Sequence, residues 1–236
     1  MPEHFTLGFL GGTGPQGRGL ALRLALAGHE VLLGSRDEGR AKNIVEELLG
    51  GGSLPIRGVS DQQAANQAEA LFVVVPYDGQ ATLLPALAPA LAEKIVVNMI
   101  NPLTRDAHGP YLRPVPEGSA AEQAQQLLPQ SRVVAAFHHA PPRLLLDQSR
   151  DVDTDVLVCG DDPAAKAWTI SRADEISGMR GVDAGPLRLA RHLEGFTALL
   201  VSINIRYKIH AGVRVTRLSE SKRLATAAPP AAAIRP

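Results

Sequence analysis

The residues best suited to chemistry lie near the N-terminus. Gly12, Gly14 and Gly17 spell G-x-G-x-x-G, with Thr13, Pro15 and Gln16 between them, and Ser35, Arg36 and Arg40 follow one predicted strand later. Glycines at this spacing serve a dinucleotide fold in three mechanical ways, since they turn the chain, admit a pyrophosphate against the backbone and let helix and strand pack closely. Free N–H groups at the helix start then hold the phosphates. Pro15 has no N–H, so the donors are Gly14, Gln16, Gly17 and the backbone or hydroxyl of Thr13. Ser35 and Arg36 occupy the strand tip where NAD-binding chains carry Asp or Glu for the ribose hydroxyls. With no carboxylate there to repel a phosphate, Ser35 offers a hydroxyl, Arg36 a planar cation and Arg40, one helical turn on, a second cation. Two or three charge-assisted bonds of about 1.5–3 kcal/mol each favour NADP over NAD by about two to four orders of magnitude. A glycine turn without a ligand and a solvated Ser-Arg pair are the plainer alternatives at this point.

These residues need a strand before the glycines and a helix after them. Residues 5–10 form a short apolar run that stops at Gly11, and strong helix formers continue to Ala27. Beyond the Gly28-His29 turn, the chain alternates. Strands are expected at 30–34, 56–59, 71–75, 94–99, 133–137, 155–159 and 180–184. Helices are expected at 38–49, 62–70, 80–91, 119–128 and 162–176, the third of them kinked or split by Pro85 and Pro89 and the fourth opened by a Ser119/Glu122 capping box. Such alternation predicts an α/β fold: a Rossmann-type, doubly wound parallel sheet with helices on both faces. The loops after the strands then line the crevice, which brings Tyr77, Asn101-Pro102-Leu103 and His138-His139 to one edge. From 185 the pattern becomes a long helical stretch, expected to form a small helical C-terminal domain with an apolar surface suited to a subunit interface. The expected division is 1–184, 185–218 and an Ala/Pro-rich flexible tail at 219–236.

Composition narrows the classes. Basic and acidic residues number 24 each, so nothing in the charge points to nucleic acid or an anionic membrane as partner. Cys159 is the only cysteine, which excludes an intramolecular disulfide and suits a reducing cytoplasm. The N-terminus lacks the basic-then-apolar order of a secretory signal, and the apolar stretch at 81–92 is too short to span a bilayer. No Tyr-x-x-x-Lys, nucleophile–base pair or metal-ligand cluster stands out in the sequence. Cys159 reads as a packed core thiol, and Asp161-Asp162 as a helix cap in preference to a metal site.

With these segments placed, the chain resembles the NADPH-dependent coenzyme F420 reductases. The resemblance rests on the stretch from Gly11 to Arg36, VVVP ending at Pro76, EKIVVN ending at Asn98, the Phe137-His138 strand end, VCGDD ending at Asp162, DAGPL ending at Leu187 and KIHAGVRVT ending at Thr216. It implies reversible hydride transfer between NADP(H) and the deazaflavin coenzyme F420, in a homodimer. It also implies that Thr13, Gly14, Pro15 and Gln16 hold the pyrophosphate, and that Ser35, Arg36 and Arg40 hold the 2′-phosphate. Tyr77, Ala81, Leu103, Ala140 and Pro142 would line the nicotinamide half of the cleft, and Ala211 would touch the deazaflavin. The sequence departs from the family pattern at His139 and the Pro141-Pro142 pair, and its tail after Leu218 has no counterpart there.

Hydride transfer between two bound rings asks the protein to stack them and exclude water. His138 is the candidate to assist, by hydrogen-bonding a carbonyl or phosphate or by stabilising charge on the deazaflavin; the plainer alternative is that it satisfies backbone groups. Arg191, His192 and Arg206 either attract the anionic tail of F420 or are interface and solvated residues. Two other functions stay open: an NADPH-dependent reductase of an imine, carbonyl, flavin or ferric chelate, and an NADP-binding redox sensor without turnover.

Overall fold

The computed structural model describes residues 3–220, so all of the expected tail beyond residue 220 lies outside the described residues. The chain begins with three strand–helix units: β1 (Thr6–Leu10), α1 (Pro15–Leu26), β2 (Glu30–Ser35), α2 (Glu38–Leu49), β3 (Ile56–Ser60) and α3 (Asp61–Gln67). It continues through β4 (Ala70–Val73), α4 (Tyr77–Leu91), β5 (Ile95–Asn98), a hairpin of β6 (Leu103–Asp106) and β7 (Gly109–Leu112), α5 (Ala120–Leu127) and β8 (Arg132–Ala135). The last elements are α6 (Pro142–Leu146), β9 (Thr154–Gly160), α7 (Pro163–Asp174), β10 (Met179–Gly185) and α8 (Ala190–Tyr207).

One eight-stranded sheet has the order β10-β9-β8-β5-β4-β1-β2-β3. Six neighbours from β8 to β3 run parallel, which is the doubly wound arrangement the alternation predicts. The two further strands depart from an all-parallel reading: β9 pairs antiparallel with β8, and β10 follows β9 in parallel. The connection into β9 differs from those before it. A parallel neighbour needs a full crossover, usually a helix. Between β8 and β9 stands only the five-residue α6, clamped to α1 by Arg23, whose guanidinium donates to the carbonyls of Leu144, Leu145 and Arg150 at 2.8 Å.

The period of two along the strands sorts side chains to two cores. Leu7 and Phe9 face α1, α2 and α7 through Leu20, Leu24, Val45 and Ile170. Leu10, Leu32 and Leu71 face α3, α4, α5 and α8 through Ala64, Leu84, Ala124 and Leu193. On the first face, Phe9 stacks on Phe72 with centroids 4.8 Å apart, and Phe137 and Trp168 pack edgewise or tilted around the same ring.

Four helices, α2, α3, α5 and α7, have a side chain capping the start. Asp162 accepts from Ala165 N–H at 2.7 Å, the cap expected of it. Ser119 accepts from Glu122 N–H at 3.0 Å, but the Glu122 carboxylate takes the Ser119 hydroxyl and Arg191, so that capping box is only half formed. The complete box is at Ser60 and Gln63. Helix α4 is one continuous element that starts at Tyr77, three residues before the expected start, and keeps Pro85 and Pro89 inside it. No described helix is long and apolar enough to cross a membrane.

Candidate functional site

Strands β2, β1, β4, β5 and β8 are neighbours and point the same way, so their carboxyl ends form one edge. Helix α1 leaves β1 toward one face of the sheet and α4 leaves β4 toward the other. The winding therefore reverses between β1 and β4, where an open α/β sheet forms its ligand crevice.

The glycine loop lies over this reversal. Gly11 ends β1 in the left-handed region, with φ 69°, and its N–H donates to Asp61 Oδ1 at 2.8 Å. Gly12 N–H donates to the Gly34 carbonyl at 2.9 Å, which ties the loop to the tip of β2. A β-carbon on Gly17 would stand 2.4 Å from the Gly12 carbonyl oxygen, so α1 approaches β1 this closely only with glycine there. Around Gly14 the situation is the reverse: among the described residues a β-carbon would meet nothing within 4 Å. That open space, in front of a helix start that no side chain caps, fits a pyrophosphate. Pro15 takes the first helical position, where no intrahelical donor is required. The Gln16 side chain is engaged elsewhere, because its Nε2 donates to the Phe137 carbonyl at 2.9 Å, and only the Gln16 backbone is left for phosphate. Phe137 has φ 61°, a conformation uncommon for an aromatic residue.

At the tip of β2, Ser35 is buried and its Oγ accepts from Asp37 N–H at 3.2 Å. Asp37 in turn caps α2 through Arg40 N–H at 3.1 Å. Arg36 and Arg40 are exposed, and neither guanidinium has a hydrogen bond or ion pair among the described residues. Their cations are available to an incoming anion.

The other half of the crevice follows β4, β5 and β8. Tyr77 starts α4 and Ala81 is one turn on, Leu103 starts the hairpin after β5, and Ala140 and Pro142 flank the start of α6. Tyr77 is held on two sides: Gln123 Nε2 donates to its hydroxyl at 3.3 Å, and the Arg113 guanidinium lies 5.2 Å from its ring centroid while pairing with Asp78 at 2.8 Å. Ala211 has different neighbours. Its N–H donates to Asn204 Oδ1 at 2.7 Å, and the following Val213 pairs with Thr154 and Asp155 at the start of β9.

His138 is buried, and neither ring nitrogen has a partner among the described residues. Burial, with a smaller contribution from His139, pushes its pKa down to about 3, so the ring is neutral at ordinary pH. The polar contacts of this residue are through its carbonyl, which accepts Asn101 Nδ2 at 2.9 Å and Thr197 Oγ1 at 3.4 Å. His139 Nε2 donates to the Asp155 carbonyl at 2.7 Å. Of the C-terminal cations, Arg191 is engaged by Glu122 at 2.9 Å, while His192 and Arg206 are exposed. Cys159 is a buried core thiol whose pKa burial pushes up to about 12.

Three buried polar groups near this edge escape a reading of the sequence. Asn98 donates to Gln80 Oε1 at 2.6 Å, which joins β5 to α4. Glu194 on α8 accepts Ala120 and Ala121 N–H at 3.0 and 3.1 Å, and burial pushes its pKa up to about 7. Asp61 sits under the glycine turn; the rule that ligand loops follow strand ends points to it once β3 is carried one residue further, to Ser60.

Comparison with known proteins finds similar chains. The family profile described as NADP oxidoreductase, coenzyme F420-dependent, matches residues 6–102. The F420-dependent NADP reductase of Methanothermobacter marburgensis is 38% identical over 219 residues, covering 89% of this chain and 98% of that one. The F420-dependent NADP reductase of Methanocaldococcus jannaschii is likewise 38% identical, over 221 residues, covering 90% and 98%. Among solved structures, a proposed F420-dependent NADP reductase from Arthrobacter sp. FB24 superposes with a TM-score of 0.78 at 28% identity, covering 90% of this chain and 100% of that one.

Proposed function

The chain belongs to the family of F420-dependent NADP reductases, and from that membership we propose its reaction: reversible, direct hydride transfer between NADPH and the deazaflavin coenzyme F420. It is an oxidoreductase, with NADP(H) and F420 as its co-substrates. When bound, the nicotinamide and deazaflavin rings supply the redox chemistry. The protein contributes binding, orientation and exclusion of water. On our reading, backbone N–H groups of Thr13, Gly14, Gln16 and Gly17 hold the pyrophosphate, and Ser35, Arg36 and Arg40 the 2′-phosphate. The nicotinamide half is walled by Tyr77, Ala81, Leu103, Ala140 and Pro142. The geometry that supports this best is the open space at Gly14 together with Arg36, just after β2, and Arg40, in the first turn of α2, both exposed and without a hydrogen bond or ion pair from the guanidinium among the described residues.

Residues 185–218 belong to the F420 side in this reading, with Ala211 against the deazaflavin. Helix α8 also supports a homodimer, because Leu199, Ile205 and Tyr207 are 60%, 52% and 67% exposed and none of residues 201–207 at its C-terminal end is buried. A monomeric mass in analytical ultracentrifugation would refute the dimer. A formal charge of zero and a single cysteine fit a cytoplasmic enzyme with small-molecule partners and no nucleic acid.

The deciding experiment follows the visible absorbance of oxidised F420 after adding the protein and NADPH, with NADH as control. Rapid bleaching with NADPH alone is the expected result. No bleaching, with NADPH still bound, would overturn the acceptor and leave the nucleotide half standing.

A further inference from the structure

Asp61 is the first residue of α3, yet it does not cap that helix. Ser60 and Gln63 do so reciprocally: Gln63 N–H donates to Ser60 Oγ at 3.1 Å, and Ser60 N–H to Gln63 Oε1 at 2.8 Å. The Asp61 carboxylate is free to reach sideways across the strand ends. Its Oδ1 takes Gly11 N–H at 2.8 Å, just where the backbone turns into the left-handed region. The same oxygen would lie 2.8 Å from a β-carbon on Gly34, so it is packed against the tip of β2 as well. Oδ2 is buried with no hydrogen-bond partner among the described residues, and the whole residue is 5% exposed. Burial raises its pKa, against the pull of the Gly11 N–H and the Arg36 charge. A buried carboxylate with one orphan oxygen is costly, and nothing in the packing of α3 requires it.

We infer that Asp61 is a positioning residue for the nucleotide site, holding the glycine turn of β1 in register with the 2′-phosphate tip of β2. It joins three strand ends in one contact: β1 through Gly11, β2 through Gly34, and β3 through its own backbone. The Gly12 N–H bond to the Gly34 carbonyl closes the same triangle from the other side. Loss of the carboxylate leaves the Gly11 N–H without its acceptor and lets the loop shift relative to Ser35 and Arg36. The inference rests on the NADPH reading of the site, so its test begins by measuring NADPH binding to the unaltered protein.

The experiment compares Asp61→Ala and Asp61→Asn with the unaltered chain for NADPH binding, the KM of NADPH and of F420, kcat and Tm. Asp61→Ala is expected to raise the KM for NADPH about tenfold, with kcat and the KM for F420 within about twofold. Asp61→Asn keeps an oxygen for the Gly11 N–H and is expected to return the KM for NADPH to within about twofold of the unaltered value. If Asp61→Ala does not fold, Asp61→Glu, which displaces the carboxylate by one methylene, is expected to raise the KM for NADPH in the same selective way. An unchanged KM for NADPH in the Ala or Glu variant, failure of Asn to rescue, or equal losses for both co-substrates overturns the assignment. No NADPH binding by the unaltered chain overturns the function itself, which separates the two failures.

Discussion

At the β2 and β1 end of the crevice the groups that recognise charge face outward. The first turn of α1 has no side-chain cap, Gly14 borders open space, and Arg36 and Arg40 are exposed and unpaired among the described residues. At the β5 and β8 end the polar groups are turned inward. Asn98 donates to Gln80, Gln80 donates in turn to the Ala120 carbonyl and Gln123 Oε1, Asn101 holds the His138 carbonyl, and Glu194 accepts at the start of α5. In the proposed reading, one end binds phosphates by charge and backbone donors. The other presents a wall whose shape is fixed from behind, which suits ring stacking, where the cofactors bring their own reactivity. Substitutions at the two ends should therefore separate the two co-substrates.

The largest effect belongs to the charged end. Arg36→Asp removes a charge-assisted bond and places a like charge against the 2′-phosphate, so the KM for NADPH is expected to rise by about two orders of magnitude or more. The KM for F420 should stay within about twofold of its original value. Steady-state kinetics with each substrate varied in turn checks this, and an unchanged KM for NADPH would erase the contrast between the ends.

The glycines probe the charged end next, because Gly14 and Gly17 meet opposite surroundings. Gly17→Ala drives a β-carbon into backbone 2.4 Å away and is expected to cost about 1–3 kcal/mol, read as a drop of several degrees in Tm. Gly14→Ala meets nothing within 4 Å among the described residues and already has φ −76°, so Tm should hold while NADPH affinity falls about tenfold or more as the methyl occupies the phosphate space. Equal loss of stability in both variants would mean that the space at Gly14 is not kept for a ligand.

The same contrast governs how much can be read from the residues alone. The glycine loop and the β2 tip are legible because each residue there has a local steric or charge reason, visible in order along the chain. The reversal of β9 is not, since periodicity carries no strand direction. The β6–β7 hairpin escapes because Thr104, Arg105 and Asp106 give it no apolar alternation. Strand position places His138 at the crevice edge, but its ring is buried, and packing behind a strand tip is set by α8, which is distant in sequence. Asp61 is hidden because β3 runs one residue past its last apolar position, Val59, and the carboxylate acts on a turn fifty residues earlier in the chain.

The smallest effects are at the inward-facing end, and they appear in stability more than in turnover. Glu194 has its folded pKa raised from 4.5 to about 7. Its stabilising contribution is therefore complete below about 4.5 and lost as pH rises toward 7. His138 has its folded pKa lowered from 6.5 to about 3, so its contribution is complete above about 6.5 and lost as pH falls toward 3. Across the window they share, the two slopes oppose, each at most about 1.4 kcal/mol per pH unit. Relative to the unaltered protein, Glu194→Gln should therefore gain stability, and His138→Asn lose its relative advantage, as pH rises through that window in denaturant titrations. Because a ring with a pKa of about 3 is neutral throughout the working range, His138→Asn should also leave the shape of the kcat–pH profile between about pH 6 and 8 unchanged. Loss of a limb of that profile would show a protonated His138 at work in the crevice, and the inward-facing end would then share in the chemistry as well as in the shape.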